Sequence, residues 1–314
     1  MALFIDILRI VLPVFLVIGL GFLLKRIRFV DSNFIVQLNR LIYFIALPAL
    51  LFYNIAVADF AARFNGLLLV GLLATVFLTF LLSYAYAVLR GYSPEARGSF
   101  CQGAFRGNLA YIGLAIVFNA YGAEELATAG ILLGFIVPFF NFLAIIALLL
   151  PHRQQDQRMG AVFWARQLSY NPLILASFAG ILWSFFKVPM PQVLDRSLDI
   201  VAGMALPLAL LAIGASFSLE KLRGDLSKAL IATSIKIVWL PLGTALLLLL
   251  LGIRGNELAI GVIFAGTPTA TAAYIMAQQM KGDAELSGSI IMLSTLLSIF
   301  TYTFALFVLQ WLKL

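Results

Sequence analysis

Ten stretches of the chain are each long and apolar enough to cross a lipid bilayer, and no other feature restricts the fold as much. A spanning helix needs about 20 mainly apolar residues. Such runs occupy roughly 6–25, 34–56, 66–89, 98–120, 126–149, 171–187, 193–217, 228–251, 257–280 and 286–311. The sixth is short and closes at Pro189-Met190-Pro191. Of the 314 residues, 63% are hydrophobic and 11% charged, whereas a soluble domain carries about 25% charged residues. No water-soluble fold of this size can hide so much apolar surface. The fold class is therefore an all-α polytopic membrane protein with ten transmembrane helices.

The formal net charge of +7 fits the same class, because cytoplasmic loops of membrane proteins collect Lys and Arg; nucleic acid is not implied. Connections after odd-numbered spans hold twelve basic residues, and even connections plus the termini hold five. This asymmetry predicts a multi-pass protein of the cell (inner or plasma) membrane with both termini outside. The first span ends in Lys25-Arg26-Ile27-Arg28 and lacks a small-residue cleavage pattern, so it reads as a span and not as a signal peptide. A single cysteine, Cys101, excludes an intrachain disulfide and a cysteine metal site, and no cofactor is implied. The lone His152 falls in a polar loop.

The two halves of the chain echo each other at an offset of 159 residues. Pro13 matches Pro172, Gly21 matches Gly180, Ala46-Leu47-Pro48 matches Ala205-Leu206-Pro207, and Phe105 and Gly107 match Phe264 and Gly266. Five spans per half would insert the halves in opposite orientation, which is the inverted-repeat plan of secondary transporters. The domain reading follows. Residues 1–150 form the first five-helix repeat, 151–170 a cytoplasmic connector, and 171–314 the second repeat. Val162, Phe163 and Trp164 suit the connector to lie as an amphipathic helix in the interface.

Spans four and nine carry the odd chemistry. Arg106-Gly107-Asn108 is too polar for a plain spanning helix, and Gly266-Thr267-Pro268 stands at the matching place. Freed backbone groups survive in a membrane only inside protein or beside a wet cavity. Thr267 reads as an N-cap with Pro268 at the first helical position, and Asn108 as the N-cap of its own new half-helix. Two half-helix N-termini near mid-membrane, with Arg106 beside one, suit an anion such as a carboxylate. Arg40, Asp199 and Lys236 also fall inside spans. The first two lie near span ends, where snorkelling accounts for them, and the role of Lys236 stays open. No Asp or Glu falls at the centre of a span, which argues against tight proton coupling through a buried acid. Pro48 and Pro207 read as bends, Asn54 and Ser216 as residues able to face a cavity, and Pro138 and Asn141 as packing features.

FRGNLAYIGLAIVF at 105–118, ALPALLF at 46–52 and GTPTATAAYIMA at 266–277 resemble the auxin efflux carrier family in its bacterial form, and the likeness runs over the whole chain. The resemblance implies two inverted five-helix repeats with broken, crossing helices 4 and 9. It also implies a scaffold of spans 1, 2, 6 and 7 and a mobile transport domain of spans 3–5 and 8–10 that moves like an elevator. It implies organic-anion substrates and, by analogy with plant members, a homodimer. It points to Asn108 with its flanks Gly107 and Leu109, and to Thr267 and Pro268, as substrate-binding residues. The chain departs from the pattern in having Leu109 where the second half has Pro268.

The expectation is thus a non-enzymatic secondary transporter of small organic anions in a lipid bilayer, working by efflux or exchange. Asn108, Arg106, Gly107, Leu109, Gly266, Thr267 and Pro268 are its candidate substrate site. Three rivals stand beside it. One is a sodium-coupled symporter of the bile-acid type. The others are a non-transporting receptor and a membrane enzyme such as a lipid or prenyl transferase, which would need paired carboxylates that these spans lack.

Overall fold

A computed structural model describes residues 2–58, 63–152, 172–217 and 225–312. The expected connector helix around Val162, Phe163 and Trp164 lies outside the described residues. Among the described residues the chain is all helical, with no named strand. We label the helices α1 (Ala2–Arg26), α2 (Ser32–Ala56), α3 (Gly66–Leu89), α4 (Pro94–Phe105), α5 (Leu114–Leu149), α6 (Pro172–Phe185), α7 (Gln192–Ala215), α8 (Leu226–Leu250), α9 (Gly255–Gly266), α10 (Ala272–Gln279) and α11 (Ala284–Trp311).

Among the described residues, seven continuous helical segments are long and apolar enough to cross a membrane, and α6 and α9 are shorter apolar helices. One of the seven, Leu109–His152, runs for 44 residues. At 1.5 Å per residue that is about 66 Å, roughly twice the hydrocarbon thickness. Gly122 resolves the excess. Its φ of 79° and ψ of −167° break the helix inside α5, leaving 114–121 and 123–149 as separate pieces. Leucines on α8 at 242, 246 and 250 stay exposed at four-residue spacing, an apolar stripe fit for lipid.

The helix ends carry local signals. Asn65 accepts hydrogen bonds from the N–H groups of Leu67 and Leu68 at the start of α3 (2.9 and 3.2 Å). Asp225 and Asp283 do the same for α8 and α11. Prolines 48 and 241 each follow a five-residue π-helical turn, Ile42–Ala46 and Ile235–Trp239. A proline lacks an N–H and crowds the carbonyl four residues before it, and a widened turn relieves both problems. Pro207 sits inside α7 with no such turn.

Helix packing sorts the chain into two groups. α1 lies along α7, α2 packs on α6 and α7, and these four form one group. Glycine makes the α1–α7 approach close: a Cβ on Gly214 would fall 1.8 Å from the Ile18 carbonyl oxygen, and one on Gly21 2.2 Å from that of Leu211. In the other group α3 packs on α4 and α8, α8 on α9 and α11, and α11 on α4 and α10. Helix α5 packs on α4 and also touches α1, α2 and α6 of the first group, and α11 packs along α1.

Candidate functional site

The centre of the molecule is where the two broken helices meet. Helix α4 ends at Phe105, the chain turns extended at Arg106, and after Gly107 and Asn108 a π-helical turn, Leu109–Gly113, leads into α5. Helix α9 ends at Gly266, and the next helix begins only at Ala272. The two breaks lie antiparallel and pair through main chain. Asn108 N–H donates to the Pro268 carbonyl (2.8 Å), and Ala270 N–H donates to the Arg106 carbonyl (3.0 Å), forming an isolated bridge centred on Gly107 and Thr269. Gly107 is required at this contact, because a Cβ there would lie 2.0 Å from Thr267 Oγ1.

A broken helix leaves carbonyls without partners, and lipid supplies none. At the end of α9 every carbonyl from 263 to 265 is taken up. Tyr302 donates its hydroxyl to the Ile263 carbonyl (3.1 Å), Thr267 Oγ1 donates to that of Phe264 (2.8 Å), and the Lys236 ammonium donates to that of Ala265. Phe264 needs this help because Pro268, four residues on, has no N–H. Thr269 serves the other break: its hydroxyl donates to the Gly103 carbonyl (2.8 Å) near the end of α4, while its N–H donates to Ser294 Oγ (3.0 Å).

This revises the expected caps. Thr267 is not an N-cap but the C-cap of α9, fully buried, and α10 starts four residues beyond Pro268. Thr267's hydroxyl goes backward because the nearer unsatisfied groups are the carbonyls behind it. Asn108 holds the N-cap position, and its carbonyl accepts from Ile112 and Gly113 N–H, but its side chain makes no capping hydrogen bond.

A cavity of about 840 Å³ opens beside the first break. Arg106, Gly107, Asn108 and Leu109 line it, with Ser216 from the end of α7. Gly266, Thr267 and Pro268 do not. Arg106 is only 8% exposed. Its guanidinium donates to Asn141 Oδ1 (2.6 Å) and approaches Met276 Sδ (2.8 Å). No carboxylate lies within ion-pair distance of it among the described residues, and no other charged residue lines the cavity there. An arginine holds its charge at any ordinary pH, so this is a buried cation without a counter-charge.

A second cavity, about 960 Å³, lies at the opposite ends of α2 and α7 and shares no lining residue with the first. Asn54 and Pro207 line it, with Asp199, while Pro48 lines neither cavity. Along the chain, Leu47 falls between Phe44 of the first cavity and Leu50 of the second, and Ile112 between Tyr111 and Ala115; both are fully buried. Arg40 and Asp199 are exposed, in keeping with their places near span ends. Sequence reasoning missed Asn141 as a partner of Arg106, along with Tyr43, Tyr111 and Met276 in the cavity wall. An asparagine deep in an apolar run was the available signal for Asn141. The others carry no mark that separates them from packing residues.

An all-helical membrane protein with two paired helix breaks and two separate cavities is built as a membrane transporter. The chain belongs to the auxin efflux carrier family: residues 6–306 match the family described as "Membrane transport protein". It is 28% identical over 316 residues to a protein of Rhizobium meliloti named "Putative malonate transporter", covering 97% of this chain and 96% of that one. An "Uncharacterized transporter" of Methanothermobacter thermautotrophicus is 24% identical over 92% of this chain and 94% of its own length. "Auxin efflux carrier component 6" of Arabidopsis thaliana is 26% identical over 140 residues, 43% of this chain and 25% of that one.

Proposed function

We propose that this transporter carries small organic anions, carboxylates above all, by alternating access at the Arg106–Asn108 break. The observation that carries this reading is the buried, uncompensated Arg106 guanidinium facing a cavity. Burying a lone cation is costly, and a substrate carboxylate would supply both the missing charge and paired oxygens for the guanidinium fork. Asn108 lies beside it with its amide uncommitted to capping. The substrate named for the Rhizobium relative, malonate, is of this chemical class.

In this reading α1, α2, α6 and α7 form the scaffold, and α3–α5 with α8–α11 form the moving transport domain. The close glycine-mediated contacts of α1 with α7, and the packing of α3, α4, α8, α9, α10 and α11 among themselves, support it. Ten spans as two inverted repeats, 1–150 and 171–314, are supported by element bounds. Shifted by the sequence offset of 159, α2 (32–56) falls on 191–215, where α7 runs 192–215, and α3 (66–89) falls on 225–248, where α8 runs 226–250. The two separate cavities suit a site that opens alternately to each. The orientation, with both termini outside the cell membrane, rests on the loop charges alone.

A thermal-shift screen of mono- and dicarboxylates on purified protein, repeated with Arg106→Ala, tests the reading. At least one carboxylate should stabilise the native protein and lose that effect in the variant. Equal stabilisation of both proteins would remove Arg106 from the site.

A further inference from the structure

Lys236 is the one charged side chain with no exposed surface at all among the buried residues described, and the anion site does not use it. It projects from the π-helical turn Ile235–Trp239 of α8, and its ammonium donates to the carbonyl of Ala265 in the last turn of α9. In an unbroken helix that carbonyl would receive the N–H of Thr269, which here is turned to Ser294 Oγ. No carboxylate lies within ion-pair distance of Lys236 among the described residues. Its counter-charge is the end of α9 itself, since the last carbonyls of a helix carry about half a negative charge.

The position has a second meaning. In secondary transporters built on broken helices, the carbonyl ends of half-helices are where coupling cations such as sodium bind. Here the carbonyl end of α9 already holds a cation, tethered to α8 by its side chain. We infer that Lys236 is a built-in cation: its ammonium takes the place of a coupling ion at the second crossing, fixes the geometry that crossing needs, and frees transport from sodium. The inference rests on the proposed reading that the crossing is the transport site. It adds which residue positions the crossing and which kind of ion the carrier does without.

Lys236 is a positioning residue, because it touches the helix end and not the substrate cavity. Ile237 and Leu240, one and four residues on, are buried with it; Lys236→Met preserves bulk while removing charge, and Lys236→Gln keeps a donor without charge. The test measures thermal stability and carboxylate flux of purified, reconstituted protein in choline chloride against sodium or lithium chloride at equal ionic strength. The native protein should be indifferent to the cation in both readouts. Lys236→Met should melt lower in choline and lose most of its flux, and sodium or lithium should restore part of both in a concentration-dependent way. Native protein that needs sodium overturns the inference. So does a Lys236→Met or Lys236→Gln variant that behaves as the native protein in choline, or one that no small cation restores. The melting readout does not depend on which substrate is carried. A failure of the anion reading would instead appear as native protein that moves no carboxylate under any salt.

Discussion

At the end of α4 the chain turns a cation toward a cavity, whereas at the end of α9 it turns one inward. Arg106 keeps its guanidinium on the wall of an 840 Å³ space, held by Asn141 and Met276. Lys236 spends its ammonium on the Ala265 carbonyl, while Tyr302 and Thr267 close the two carbonyls before it. The same device, a helix broken within the molecule, is thus finished in two ways. One break, although Thr269 closes its Gly103 carbonyl, keeps a charged side chain on a cavity wall. The other is sealed by side chains, which is how a membrane interior tolerates free backbone groups. Pro268 makes the sealing necessary by removing an N–H; Leu109, its counterpart, keeps its own.

If the two breaks divide the work in this way, substitutions at the first should remove transport and spare stability, and those at the second should lower the melting temperature as well. Asn108→Ala should abolish carboxylate uptake in proteoliposomes while insertion and melting stay near native; near-normal uptake would sink the site assignment. Arg106→Ala should cut uptake roughly 10- to 100-fold, the equivalent of the 1.5–3 kcal/mol carried by hydrogen bonds to charged groups. An unchanged rate would make the first break no more chemical than the second. Tyr302→Phe leaves the buried Ile263 carbonyl without its partner and should cost about 1–3 kcal/mol of stability, read as a lower melting temperature. Its effect on uptake should be smaller than that of either substitution at the first break.

The smallest effect is expected at a cap outside both breaks. Asp225→Ala removes the N-cap of α8 and should cost about 1 kcal/mol. The N–H of Lys228 holds the Asp225 carboxyl below its usual range, helped by the Lys228 side chain. A carboxyl with a lowered folded pKa stabilises above its unfolded value and loses that contribution as pH falls through the folded one. The melting difference between native and Asp225→Ala protein should therefore shrink below about pH 4. A difference that grows on acidification would contradict the capping geometry.

Much of this was legible in the chain. Apolar run length predicted the helices, because a bilayer sets that length, and the polarity of Arg106-Gly107-Asn108 marked the first break. The pairing of the breaks was not legible: main-chain hydrogen bonds between Asn108 and Pro268, and between Arg106 and Ala270, leave no trace in residue type. Thr267 misled for a related reason. A threonine before a proline is the ordinary start of a helix, but here the carbonyls behind it needed a donor more than the N–H groups ahead needed an acceptor. Lys236 was visible as a deep charge, yet its partner is a backbone atom 29 positions away.

The antiparallel bridge at Gly107 and Thr269 has a consequence for how such a protein can diversify. Because the two halves are fastened there by peptide groups, the fastening does not depend on the side chains at 106, 108, 268 or 270. The residues that would choose a cargo can then be exchanged without loosening the joint that carries it. Proline at 108 or 270 is the exception, since it alone deletes a donor. At Gly107 the limit is bulk instead. Cargo and architecture can thus drift apart, one written in side chains and the other in the main chain.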